Sequence, residues 1–302
     1  MALNRIVSVQ PQRSPIRREV DEDGTSESVP ISEGKVYTEP AVFTPANLLR
    51  EARRQKALPE GRVPRVCVLD PDGDIVEYLL ETGCAEPNPH WACYHTRMYN
   101  FIQDGVTYGI VGGVVGAPFA VLVAEEMFAS GCEFLISVTS AGQISPAGPP
   151  PYFVLIEGAL RDEGTSYHYT PPAQYSELHR ELGEQLRDAF EDDAVPKVHR
   201  GASWTTDAPF RETASGIERH RSAGVLAVEM EAAALYAFAE ATKNPVVCFA
   251  HVTNQMASIE GDFEKGVDNG SADALRVIET TAQRWLASAG GPTPPPSGDR
   301  EC

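Results

Sequence analysis

The sequence predicts an α/β fold: a single three-layer domain with a central mixed, mostly parallel sheet flanked by helices. Three observations carry the prediction. Short β-rich runs alternate with helical patterns, several of those runs are apolar throughout rather than alternating, and no internal repeat divides the chain. A length of 302 residues with 42% hydrophobic and 8% aromatic side chains supplies one large core.

Taken in order, residues 1–33 mix charge, Ser and Pro without apolar periodicity and read as a flexible N-terminal extension. The domain then runs from 34 to 289. RVCVL is a strand followed by the helical DIVEYLLE; VTYGIVGG is a strand followed by APFAVLVAEEMFAS; CEFLISV is a strand that enters a Gly/Ser/Pro loop. GQISPAGPPP is a loop within the domain, because strand-like YFVLIE follows at once. Helical SELHRELGEQLRDAF, the strand VHRGASW, a helix after VEMEA, the strand NPVVCFAHVT and a helix over SADALRVIETTAQRW complete the series. Residues 290–302, GGPTPPPSGDREC, read as a disordered Pro/Gly tail.

The charge balance excludes several classes of partner. With 25 Lys+Arg against 43 Asp+Glu the formal charge is −18, which repels nucleic-acid phosphates and anionic lipid alike. No apolar run approaches the ~18–20 residues that span a bilayer, and the first residues lack an apolar signal core, so a cytoplasmic protein is expected. The cysteines at 67, 84, 93, 132, 248 and 302 show no C-x-x-C pair; buried free thiols are expected, and no metal site.

In open α/β sheets ligands gather beyond the carboxyl ends of the strands, and four junctions stand out there. In LDPDGDIVEYL, Gly73 sits among Asp70, Asp72 and Asp74, which suits either a phosphate cradle opposed by carboxylates or a solvated turn in which Asp72 or Asp74 caps the helix. In GGVVGAPFAVLVAEEMFASG, glycines precede Pro118, for close backbone turning or for strand–helix packing. FLISVTSAGQI ends in Thr139, Ser140 and Gly142, which serve an anion or sugar site or turn hydrogen bonds. VEMEAAALYAFAE places Glu229 and Glu231 at the start of a small-residue helix, where a carboxylate near Met230 is favoured by the helix dipole.

In this order the junctions resemble the nucleoside phosphorylase family, which includes purine nucleoside and uridine phosphorylases and related nucleoside hydrolases. The resemblance covers roughly residues 62–288; VEMEAAALYAFA is its most specific part and GAPFAVLVAEEMFASG with Ser-Ala-Gly its second. It implies a nucleoside phosphorylase-like fold and cleavage of an N-glycosidic bond, with inorganic phosphate as co-substrate and no other cofactor. Hydrolysis by water and a non-catalytic nucleoside-binding role are the alternatives. It further implies a homo-oligomer, a dimer or trimer of dimers.

Carried over by position, Glu231 accepts the ribose hydroxyls and faces the ribosyl cation, and Met230 packs on the sugar. Glu229 ends the strand before them. Asn254 falls where purine-specific members carry an aspartate; an amide has no proton to give, which suits a 6-oxopurine or uracil leaving group better than adenine. Phe210 is placed to stack on the base and Arg211 to donate to a carbonyl.

Phosphate recognition departs from the family pattern. Ile75 and Ser137 stand where phosphorylases carry arginines, and each lost charge-assisted contact is worth ~1.5–3 kcal/mol. Arg97, in YHTRMYNF, matches the arginine supplied by a neighbouring subunit. Arg161, in RDEGTSYHY, is either a substitute phosphate ligand or part of a surface loop with an internal Arg–Glu pair. The family's N-terminal histidine has no match, which leaves His90 or His95 for that role.

Overall fold

The computed structural model describes residues 30–191, 196–256 and 260–288. The predicted N-terminal extension lies outside these residues apart from 30–33, where Pro30–Ser32 forms a 3-10 turn. The predicted Pro/Gly tail lies wholly outside them.

Ten strands form one mixed sheet among the described residues: β1 (Val66–Asp70), β2 (Ala85–Pro87), β3 (Tyr99–Gln103), β4 (Val106–Gly112), β5 (Phe134–Gln143), β6 (Tyr152–Asp162), β7 (Tyr175–Glu177), β8 (Val198–Thr206), β9 (Val225–Glu229) and β10 (Val246–Asn254). The parallel pairs β1–β4, β1–β5 and β5–β10 form its centre, as the unbroken burial of β1 and β10 requires. β3 and β2 add an antiparallel wing.

The sheet also closes on itself. β5 pairs with β10, β10 with β6, β6 with β8, β8 with β9, and β9 returns to β5 over Gly142–Val228 and Gln143–Ala227. This five-stranded ring is not foreseen by strand–helix alternation, because closure rests on two residue pairs at the end of a long strand.

The helices are α1 (Pro45–Lys56), α2 (Asp74–Glu81), α3 (Ala117–Ala129), α4 (Arg180–Gln185), α5 (Ala214–Ser222), α6 (Ala232–Thr242) and α7 (Ser271–Ser288). α3 packs against α1 and α6, while α7 packs against α2 and α4, giving the two outer layers. α6 is buried from Ala232 through Phe238, its alanines allowing close approach to the sheet. Its Tyr236 hydroxyl donates to the Ile156 carbonyl at 2.6 Å and accepts from Cys248 N at 3.0 Å, fastening the helix to two ring strands.

Three local predictions change. The stretch 176–190 is not one helix: Tyr175–Glu177 pairs with the edge of β6, and only Arg180–Gln185, weakened by Gly183, is helical. Two helices fall where none was read, α1 and α5, each opened by a threonine side chain, Thr44 and Thr213, accepting a backbone N–H two residues into the helix. No helix among the described residues is long and apolar enough to cross a membrane. Cys67, Cys93, Cys132 and Cys248 are buried free thiols, and Cys84 is only half-buried.

Candidate active site

The register gathers the candidate residues at one end of the ring. Ser140 pairs with His251, Gly142 lies between Asn254 and Val228, and Glu229 pairs with Thr205. Four strand ends therefore meet around the start of α6.

Glu229 holds that start in place. Its Oε1 accepts from Ser203 Oγ at 2.9 Å and Thr205 Oγ1 at 2.5 Å, and its Oε2 accepts from Glu231 N and Ala232 N, both at 2.7 Å. The helix begins at Ala232 rather than near Met230, and Glu229 is the carboxylate that satisfies its first amides. Both oxygens are committed inside the protein, so Glu229 is a positioning group and not a substrate contact.

Glu231 is released from capping by its neighbour. Its Oε1 accepts from Gly116 N at 2.6 Å and its Oε2 from Met230 N at 3.3 Å. Gly116, at φ +96°, turns the chain into α3 so that its N–H aims at this carboxylate. The side chain is 1% exposed, not partly exposed as a helix-end carboxylate would be. Burial and the charge of Glu229 push its carboxyl up to about 8, opposed by the Gly116 N–H and the Thr139 hydroxyl. Met230 beside it is half-buried.

Asn254 has a fixed orientation. Its Oδ1 accepts from Met256 N at 2.9 Å and its Nδ2 donates to Thr253 Oγ1 at 3.2 Å, leaving the second Nδ2 hydrogen as the group it can offer. Behind it His251 is stacked on Phe153 at 4.5 Å; burial lowers its pKa to about 4, with the Lys265 charge acting in the same direction.

The turn after β1 differs from both readings made of it. Asp70, not Asp72 or Asp74, serves the helix, accepting from Gly73 N at 3.1 Å and Val76 N at 2.9 Å. Burial pushes the Asp70 carboxyl up to about 7. Gly73, at φ +90°, is required by the turn, and its N–H is already taken. Asp72 instead reaches across to β5, where its Oδ2 accepts the Ser140 N–H at 2.6 Å. The amide expected to bind an anion is thus held by a carboxylate of the same chain.

Arg161 is turned into its own loop, which favours the structural reading over the phosphate-ligand one. It is buried, its Nε donates to Ser166 Oγ at 2.8 Å, and its Nη atoms donate to the Pro171 and Thr170 carbonyls at 2.7 and 3.2 Å. Glu163 does not pair with it but accepts from Thr165 N and Ser166 N. Three of the guanidinium's five N–H donors are spent on shaping 163–171.

Phe210 is 99% exposed and Arg211 is exposed beside it, in the 3-10 turn Pro209–Arg211 after β8. Arg97 is exposed two residues before β3, whose Tyr99 pairs with Ile110, so it stands at the same end of the sheet as Gly112. His90 and His95 lie in the loop preceding it.

A family model described as the phosphorylase superfamily matches residues 65–283. The chain belongs to the phosphorylase superfamily. Its superfamily relatives include a guanosine phosphorylase of Halorubrum lacusprofundi, 26% identical over 59% of this chain and 68% of that protein. A uridine phosphorylase of Thermococcus kodakarensis is 28% identical over 55% of this chain and 69% of its own length. Among solved structures, uridine phosphorylase from Vibrio fischeri superposes with a TM-score of 0.61 at 23% identity, over 75% of this chain and 92% of that one. Purine nucleoside phosphorylase from Toxoplasma gondii gives 0.63 at 17% identity, over 76% and 94%. These structural likenesses establish the superfamily fold, and the matched span runs from β1 into α7.

Sequence reasoning read Asp72 as a possible helix cap and Gly116 as a turning glycine, not as the partners of Ser140 and Glu231, and it missed the Ser203–Thr205 pair that serves Glu229.

Proposed function

We propose that this protein cleaves the N-glycosidic bond of a purine or uridine-type nucleoside, with phosphate as the attacking group and free base and ribose 1-phosphate as products. The observation that carries the reading is the buried Glu231 carboxylate, excluded from capping by Glu229 and set beside Thr139 and Gly116 at the ring's open end. A carboxylate so placed accepts ribose hydroxyls and faces the positive charge that grows on the sugar as its bond to the base breaks. The C1′–N bond breaks with its electron pair leaving on the base, a phosphate oxygen bonds to C1′, and solvent supplies the proton to the base. Asn254 offers an N–H to the departing base without giving up a proton. Met230 walls the sugar, Phe210 and Arg211 meet the base, and Thr139, Ser140 and Gly142 line the anion side. Arg97 reaching from a neighbouring copy completes the site within a homo-oligomer.

Hydrolysis is the second reading, and Asp72 is the observation that favours it. A carboxylate held on Ser140 N–H leaves less room for phosphate and can take the proton of an attacking water instead. A nucleoside panel incubated with and without phosphate, with free bases and ribose 1-phosphate measured by chromatography, separates the two. Equal rates in both conditions would sink phosphorolysis, and no base released from any nucleoside would sink both.

A further inference from the structure

The strand-end face contains donors suited to an anion, and acidic side chains of the same chain already occupy them. Asp72 Oδ2 takes the Ser140 N–H at 2.6 Å. Asp70 takes Gly73 N–H and Val76 N–H, the free amides at the start of α2. Asp74, the first residue of that helix, is paired with Lys265 Nζ, and each of these two side chains is 20% exposed.

Lys265 is brought in by the segment that follows β10. That segment folds back on the strand, with Glu264 N donating to the Thr253 carbonyl at 2.9 Å and Gln255 N donating to Asp262. It sets the backbone of Lys265 and the imidazole of His251 against Gly270, and His251 is the β10 residue paired with Ser140. A lysine therefore arrives on the side of the site where the sequence lacks the family's arginines, at Ile75 and Ser137.

Asp72 on the Ser140 amide and Asp74 on Lys265 act as internal anions. A phosphate entering here meets their charge at hydrogen-bond range and gains Ser140 N–H only by displacing Asp72, and Lys265 only by displacing Asp74. We infer that Asp72 is the internal occupant of the anion position and, together with the Asp74–Lys265 pair, determines how strongly phosphate competes with water for this site. The inference rests on the reading of the site given above. It assigns Asp72 and Asp74 a specificity role, and Lys265 the role of phosphate ligand once Asp74 is displaced.

The test is direct titration of the full chain with inorganic phosphate, without nucleoside, alongside the phosphate KM and kcat of cleavage. Asp72→Asn keeps the size and an acceptor oxygen while removing the charge, and Asp72→Ala removes both; either variant should tighten phosphate about tenfold, equivalent to about 1.4 kcal/mol. Asp74→Asn should tighten it too, and adding Lys265→Met to Asp72→Asn should take most of the gain away. Phosphate affinity that is unchanged or weaker in both Asp72 variants, including no detectable binding in any protein, overturns the inference. Because binding is read without turnover, a chain that tightens on phosphate yet releases no base would refute the proposed reaction and leave this inference standing.

Discussion

Glu231 and Glu229 stand two residues apart, and their surroundings divide them into a carboxylate placed for the proposed reaction and a supporting one. Glu231 must be ionised to face a ribosyl cation, and its carboxyl is raised to about 8. The ionised fraction therefore grows as pH rises toward and through that value, and kcat/KM should climb with it; Glu231→Gln should lose this limb of the pH–rate profile. Glu231→Ala should lower kcat/KM about 10²–10³-fold, the scale of removing one preorganised electrostatic contact. Stability carries the same signature with the opposite sign. Between the ordinary carboxylate value and about 8 the unfolded chain holds fewer protons than the folded one, so stability falls as pH rises across that window and levels off above it. Glu231→Gln should flatten the dependence of melting temperature on pH over the same range. At this scale the sequence singled out Glu231 and Asn254 as candidates, because each lies in a contiguous motif. It could not pair Asp72 with Ser140, which is 68 residues away.

The supporting carboxylate acts on an element rather than on a substrate. Glu229→Ala strands two buried hydroxyls and two amides at the start of α6, a loss of about 3–5 kcal/mol that denaturant unfolding would register. Glu229→Gln should lose less, since its amide keeps one acceptor for the helix. Arg161 belongs to the same class. Its replacement by Ala should cost about 2–4 kcal/mol and expose 163–171 to proteolysis, with phosphate affinity unaltered; weakened phosphate binding in a folded Arg161→Ala protein would restore the ligand reading. The apolar strands and the helices α2, α3, α6 and α7 were legible because apolar runs are local signals, whereas the polar helices α1 and α5 were not read despite their threonine caps. Whether Arg161 meets a ligand or carbonyls was not, since a loop's own backbone supplies its partners.

Across the whole molecule, β5 belongs both to the ring and to the winged sheet, pairing with β1, β9 and β10. Amides of β5 and β10 should exchange with solvent only on global unfolding, whereas those of the short outer strand β2 should exchange sooner, as native-state hydrogen exchange would show. The layered α/β class was readable from composition and alternation. Ring closure was not, because it depends on the register of Gly142 and Gln143 against β9.

β10 lies between β5 and β6, although those two strands are consecutive in the chain and β10 is the last strand made. A nascent chain that has emerged as far as β9 must hold a gap one strand wide, with two unpaired backbone edges facing each other. Synthesis therefore passes through a stage in which nine of the ten described strands exist and the edges that β10 will join are still open. Asn254 and the loop carrying Lys265 arrive with the strand that closes them, so the pocket and the finished sheet appear in a single late step.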